Sequence, residues 1–194
     1  MKITGATVVL REKRLEDAFR DYQWRTDEEL ARLDASAPLA MTFADYRAFY
    51  SEDMHFPDPL RRRFAIETLD GNHIGNCTYY DIDEERGQCQ IGIMIGDKAY
   101  WSQGYGTDAM TTLVDYIFRT TKFGRVYLET LEWNVRAQRS FQKVGFMQCG
   151  REHHPPHTFL VMEVLRPQWE KRLATPASAE AAPAHSAPSR GVRQ

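Results

Sequence analysis

Residues 91–109 read Ile91-Gly-Ile-Met-Ile-Gly-Asp-Lys-Ala-Tyr100-Trp-Ser-Gln-Gly104-Tyr-Gly106-Thr-Asp-Ala109. An apolar, β-branched run feeds a short loop, and two glycines one residue apart stand where a helix begins. Free amides at a helix N-terminus, reinforced by the helix dipole, form an anion site, and glycine lets backbone approach a phosphate. No Gly-Lys-Ser/Thr follows, so this is not a Walker loop, and the third glycine and downstream acid of a dinucleotide fingerprint are missing. Taken alone, Gly-x-Gly reads more simply as a tight turn, so the surrounding pattern has to decide.

Upstream, residues 63–69, 73–80 and 88–95 read as strands separated by Asp70-Gly71-Asn72 and by the turn-rich stretch 81–87, which predicts an antiparallel meander. Before them lie the β-branched run Thr7-Val8-Val9-Leu10, helical stretches over 14–25 and 26–34, and an aromatic helix over 42–53 with Phe43, Tyr46, Phe49 and Tyr50 at helical spacing. Downstream, the pattern predicts a helix over 107–123, a strand over 126–130, and a helix capped by Asn134 and stopped at Gly145. Residues 146–151 and 158–165 close the order as a strand pair.

Composition narrows the function. The chain has 194 residues, 25 Lys plus Arg against 27 Asp plus Glu, and a formal net charge of -2. That balance argues against a general nucleic-acid or anionic-membrane binder. With 42% hydrophobic residues there is material for a core, yet no apolar run approaches the roughly 20 residues of a membrane span. The opening MKITGATVVLREK does not read as a signal peptide, and the three cysteines, Cys77, Cys89 and Cys149, lack metal-ligand spacing. A cytoplasmic protein with reduced thiols is expected. From Ala174 the chain turns to Ala, Pro and Ser, so residues 1–173 are expected to form one folded domain and 174–194 a flexible tail.

Two motifs in this order of elements carry a family resemblance. Tyr100-Trp-Ser-Gln-Gly-Tyr-Gly-Thr-Asp-Ala109 is followed, one strand later, by Asn134 and Ala137 and then by Lys143-Val-Gly145-Phe146. Met162, Leu165 and Trp169 fit a closing strand with a Trp shortly after. Together these resemble the GNAT superfamily of acetyl-CoA-dependent N-acetyltransferases, most nearly its ribosomal-protein N-terminal and spermidine acetyltransferase branch. That branch typically shows Tyr-Trp-Gly-Lys-Gly-Tyr-Ala/Gly-Thr-Glu-Ala at the loop.

The resemblance implies an α/β (α+β) GNAT fold: a central mixed, mostly antiparallel sheet with a splayed strand pair, flanked by helices. Acetyl-CoA is then the co-substrate, its pantetheine arm lying in the splay, and no metal is implied. Carried over residue by residue, backbone groups of Ile93, Met94 and Ile95 pair with the pantetheine, and one N–H there faces the thioester carbonyl. The amides of Gln103, Gly104, Tyr105, Gly106 and Thr107 hold the pyrophosphate. Asn134 stands beside the pantetheine, Phe141 packs against the cofactor, and Lys143 lies near the adenosine phosphates. Lys98 and Ser102 are nearby polar candidates that loop solvation explains equally well. An amine acceptor is implied, whether a protein N-terminus, a polyamine, an amino acid or an amine-bearing antibiotic, and family analogy allows a homodimer.

The chain departs from the family at two positions. Phe141 stands seven residues after Asn134, where many members place an acidic Tyr, and Gln90 stands where many carry a basic Glu. Glu129, on the strand across the splay, is the substitute candidate for the base, and Ser140 or water for protonating the leaving thiolate. Two readings stay open: an N-acetyltransferase acting on a primary amine, and a non-catalytic acyl-CoA-binding sensor that kept the groove. Among other features, His153-His154-Pro-Pro-His157 reads as a hairpin turn rather than a metal site. Arg61-Arg62-Arg63 reads as strand-edge charge, and Asp81, Asp83, Glu84 and Glu85 as a solvated acidic turn. Cys77 and Cys89 are expected to be cross-strand neighbours with free thiols.

Overall fold

A computed structural model describes residues 1–174. In chain order its elements are β1 (Lys2–Thr4), β2 (Val8–Glu12), α1 (Ala18–Thr26), α2 (Glu28–Leu33), α3 (Phe43–His55), β3 (Arg62–Thr68), β4 (His73–Asp83) and β5 (Gln88–Ile95). There follow α4 (Tyr105–Thr120), β6 (Arg125–Leu131), α5 (Val135–Val144), β7 (Met147–His154), β8 (His157–Leu165) and α6 (Arg166–Ala174). The strands form one sheet in the order β1-β2-β3-β4-β5-β6-β8-β7, antiparallel at every pairing except β5 with β6.

Alternation along the strands divides the sheet into two unlike faces. On one, Val8, Leu10, Phe64, Ile66, Cys77, Tyr79, Cys89, Ile91, Val126 and Leu128 are buried together with Met110, Leu113, Val114 and Ile117 of α4. This is an apolar core. Asp108, in the first turn of α4, accepts hydrogen bonds from the backbone N–H groups of Ala6 (3.1 Å), Thr7 (2.7 Å) and Val8 (3.0 Å), fixing the β1–β2 turn to that helix.

The other face is held by charge. Arg11 of β2 donates twice to Asp17, at 2.7 Å each, and once to Glu67 of β3. Lys13 pairs with Asp21 of α1 at 2.7 Å and donates to Asn76 of β4, whose amide donates to Asp21 at 2.8 Å. Arg11, Asp17 and Asp21 are nearly inaccessible to solvent. Burial pushes the Asp17 carboxyl up, but hydrogen bonds from Arg11 and the Arg14 amide outweigh it and leave the group below its ordinary range. The cluster seats α1 on the sheet, and α1 leads directly into α2.

At the C-terminal side, two arginines of α6 satisfy carbonyls that helices leave unpaired at their ends. Arg166 donates to the carbonyls of Phe118, Thr121 (2.9 Å) and Phe123 (2.8 Å), and Arg172 to those of Lys143 (2.9 Å) and Val144. Trp169 is buried against Phe118.

Several expectations need correction. Leu15–Asp17 is a 3-10 turn, so the helical stretch over 14–25 becomes that turn plus α1. The helix expected over 107–123 begins at Tyr105 and ends at Thr120, and β1 and α6 were not anticipated. Cys77 faces Ile93 across the β4–β5 ladder while Cys89 pairs beside Val126, so the two are not cross-strand neighbours; both thiols are free and buried. Ala174 is the last residue of α6, and the remainder of the expected tail lies outside the described residues.

Replacing Asp17 with Asn leaves Arg11 short of its buried counter-charge and is expected to cost about 3–5 kcal/mol in denaturant unfolding. Because its folded pKa is depressed, Asp17 contributes stability that is present at neutral pH and lost as pH falls through the folded value. Wild type should therefore lose stability on acidification below about pH 4 more steeply than Asp17→Asn.

Candidate functional site

The parallel pairing of β5 with β6 is short. It comprises Gln88 with Arg125, Cys89 with Val126 and Gln90 with Tyr127, and then stops. Beyond it β5 stays on β4 as far as Ile95 opposite Gly75, and β6 stays on β8 as far as Leu131 opposite Phe159. Each strand follows its own antiparallel neighbour, so the two diverge. Backbone N–H and C=O groups left without a ladder must find another partner, and a ligand that lies along the strand can be one.

A cleft of about 460 Å³ opens at this divergence. Ile93, Met94 and Ile95 form its β5 wall, and Trp101, Ser102, Gly104, Gly106 and Thr107 its loop and α4 wall. Asn134, Arg136, Ala137, Arg139, Ser140, Phe141 and Lys143 form the α5 wall, and Leu30, Leu33 and Asp34 close it from α2. The loop is fixed to the end of β5, because the Trp101 indole N–H donates to the Ile95 carbonyl at 2.6 Å and the Arg136 guanidinium lies 3.7 Å above the Trp101 ring.

Gly104, with φ of +92°, ends the loop in a conformation that side chains rarely adopt, and α4 starts at once. The first amides of α4 then have no partner within the helix. A Cβ on Gly106 would sit 3.5 Å from Ile95 and 4.0 Å from the Ser140 hydroxyl, inside the groove itself. Opposite, the Asn134 side chain accepts from the Ala137 amide at 3.3 Å and caps α5. The Thr107 and Ser140 hydroxyls share a 2.8 Å hydrogen bond that ties the two helices together across the floor.

Of the residues singled out from sequence, Ile93, Met94, Ile95, Gly104, Gly106, Thr107, Asn134, Ser140, Phe141 and Lys143 lie in this one lining. The Gln103 side chain instead donates to the Ala99 carbonyl, and the Tyr105 ring packs edge-on against Tyr100 at 5.3 Å, so only their backbone is available to the groove. Lys98 pairs with Asp27 at 2.9 Å and Glu29 at 2.8 Å, joining the loop to α2. Glu129 lies outside the lining; it is 28% exposed, with its carboxylate 3.8 Å from the His154 imidazole.

Sequence reasoning missed Asp34, Leu30, Leu33, Arg136 and Arg139. The two arginines had a signal, since residues 136, 139 and 143 share one face of a helix. Asp34 had none, being distant from the loop in sequence.

The charge of the cleft is uneven. Arg136, Arg139 and Lys143 line the α5 wall, and Asp34 stands apart on the α2 wall. Tyr80, opposite Gln90 at the vertex of the divergence, has a phenol pushed up to about 12 by burial, with the charges of Asp81, Glu129 and Asp34 adding to the effect. Burial pushes the Cys89 thiol up to about 12 and raises Cys77 further still, so neither is a reactive thiolate. Among the described residues no group of His, Cys, Asp and Glu is arranged to hold a metal.

Known proteins share this architecture. Residues 7–147 match the family described as the acetyltransferase (GNAT) domain. An uncharacterised N-acetyltransferase, p20, of Bacillus licheniformis is 26% identical over 147 residues, 73% of this chain and 82% of that protein. Spermine/spermidine N(1)-acetyltransferase of Bacillus subtilis (strain 168) is 28% identical over 100 residues, 52% of this chain and 66% of that protein. The crystal structure of spermidine N-acetyltransferase from Vibrio cholerae, a complex with CoA and spermine, superposes with a TM-score of 0.75 at 18% identity, covering 85% of this chain and 99% of that one. At that identity the likeness is one of fold.

Asn134→Ala removes the α5 cap and is expected to lower unfolding free energy by about 1 kcal/mol, measured in denaturant.

Proposed function

The chain belongs to the GNAT acetyltransferase family, and from that premise we propose that the β5–β6 cleft takes acetyl-CoA and transfers its acetyl group to a primary amine. One observation carries the reading: an unladdered strand edge leads along the groove to the free amides of a helix N-terminus, beside three basic side chains. The residues present fit the co-substrate. Backbone of Ile93, Met94 and Ile95 would pair with the pantetheine amides, which repeat like a peptide strand. The Gly104–Thr107 backbone, with Arg136, Arg139 and Lys143, would hold the phosphates. Bound there, acetyl-CoA supplies an activated thioester.

The chain's own residues have the remaining tasks. A backbone N–H of the Ile93–Ile95 wall would stabilise negative charge developing on the acyl oxygen. Ser140, held by Thr107, is a hydroxyl of the lining that can return a proton to the departing sulfur, the role that Phe141 cannot fill. Glu129 adds negative charge near the vertex and is itself held by His154. A polyamine is the first acceptor to test, on the strength of the two relatives whose names include spermine or spermidine. Three free cysteines agree with a cytoplasmic setting.

Gly106→Val should lower coenzyme A affinity by about 10-fold or more, the equivalent of one lost charge-assisted hydrogen bond, without loss of the folded state. Calorimetry checks affinity and far-ultraviolet dichroism the fold; unchanged affinity removes the phosphate-binding role of the loop. Thiol release assayed with spermidine, an N-terminal peptide, lysine and kanamycin separates the two readings of function. Amine-dependent release is expected, whereas coenzyme A binding with no release by any of them favours the sensor.

A further inference from the structure

Among the described residues, Asp34 is the one carboxylate in the lining of the cleft. It follows the last residue of α2, where its amide bonds back to the Ala31 carbonyl at 3.1 Å, and Ala35 then turns the chain away with φ of +52°. A negative side chain at a helix C-terminus opposes the local dipole. Its ion pair, a 3.2 Å contact from the Arg25 guanidinium of α1, joins two half-exposed groups and is worth little. Its charge, with those of Asp81 and Glu129, adds to the upward push on the Tyr80 phenol of β4. Although the side chain keeps about half of its exposure, crowding by the surrounding chain raises the Asp34 carboxyl, with Arg25 opposing the shift. Local stability therefore gives no reason for a carboxylate here, and a side chain that breaks a local rule without compensation points to function. Its position supplies one: among the described residues it is a lone carboxylate in a cleft lining whose α5 wall carries three positive side chains.

We propose that Asp34 receives the ammonium group of the acceptor and takes its proton, a role that rests on the transferase reading above. An N–H bond of the ammonium breaks and an O–H bond forms on Asp34. The freed nitrogen lone pair forms the C–N bond to the acetyl carbon as the C–S bond breaks, its electron pair leaving on sulfur. A second proton from nitrogen ends on that sulfur as the thiol, and Asp34 returns its own proton to water. The charged groups that bear on this site are Arg25 of α1, paired with Asp34, and Asp81 and Glu129, which share with Asp34 an electrostatic effect on Tyr80 of β4.

The test compares wild type with Asp34→Asn and Asp34→Glu, using whichever of spermidine, kanamycin, lysine and an N-terminal peptide wild type turns over. Asp34→Asn should lower kcat/KM for the amine by about 100-fold or more and remove the acid limb of its pH profile. Asp34→Glu should restore part of the rate and the limb. Coenzyme A affinity should not move, and amine binding to the enzyme alone, read by calorimetry, should weaken in Asp34→Asn. Because the folded pKa is raised, ionisation of Asp34 opposes folding at neutral pH, so Asp34→Asn should melt no lower than wild type. A residue of merely structural importance would show the reverse, a lower melting temperature with an intact pH profile. An unchanged kcat/KM, or an acid limb that persists in Asp34→Asn and disappears in Glu129→Gln, overturns the assignment. Wild type that binds coenzyme A but acetylates none of the amines overturns the transferase reading and the role of Asp34 with it.

Discussion

The site depends on a hydrogen-bond ladder that stops. β5 and β6 pair through three residues of each strand, after which β4 holds one and β8 the other. Backbone polar groups are obligatory hydrogen-bonding groups, so a strand edge opened inside a fold needs other partners; the Trp101 indole takes the Ile95 carbonyl, and a ligand lying along the edge can take more. A pantetheine arm offers amides at nearly peptide spacing. The opening also brings the N-terminus of α4 and the capped end of α5 to one groove, because α4 leaves from the end of β5 and α5 from the end of β6. One divergence thus brings an unladdered strand edge, the free amides of a helix N-terminus and a lined cleft together.

The two faces of the sheet support that divergence by different means. Behind it, α4 and the apolar sides of the strands make a close-packed core that fixes where its N-terminal amides point. Asp108 clamps the amino-terminal hairpin to the same helix, and α6 closes the C-terminal ends of α4 and α5 through Arg166 and Arg172. In front, the Arg11–Asp17–Glu67 and Lys13–Asp21–Asn76 contacts seat α1, which carries α2 and so Leu30, Leu33 and Asp34 over the cleft. Buried ion pairs gain little net stability against apolar packing. Their directionality suits them to fixing the position of a wall that an apolar contact would leave free to slide.

Much of this was legible locally. The meander, the glycine loop, Asn134 as a cap and Gly145 as a stop each rest on short-range rules, and the structure follows them, with Gly145 at φ of +112°. The two central motifs led to the fold and to residues that share one cleft lining. The α2 wall was not legible. Asp34 reaches the cleft only through the packing of α1 on the sheet, and no spacing near residue 34 reveals it. Glu129 was nominated as the base on the strand across the splay; it lies outside the cleft lining, with its carboxylate 3.8 Å from the His154 imidazole. β1 is short and α6 strongly polar, so neither has a periodic signal long enough to read, and each is ordered by contacts far along the chain.

The central claim is that the unladdered edge of β5 and the first turn of α4 are where the co-substrate binds. Titrating the isotope-labelled protein with coenzyme A while recording backbone amide resonances tests it without requiring an acceptor. The account predicts saturable shifts concentrated at Ile93–Ile95 and at residues 103–107, with smaller ones along the α5 wall. Saturable shifts elsewhere that leave both segments unmoved would contradict it.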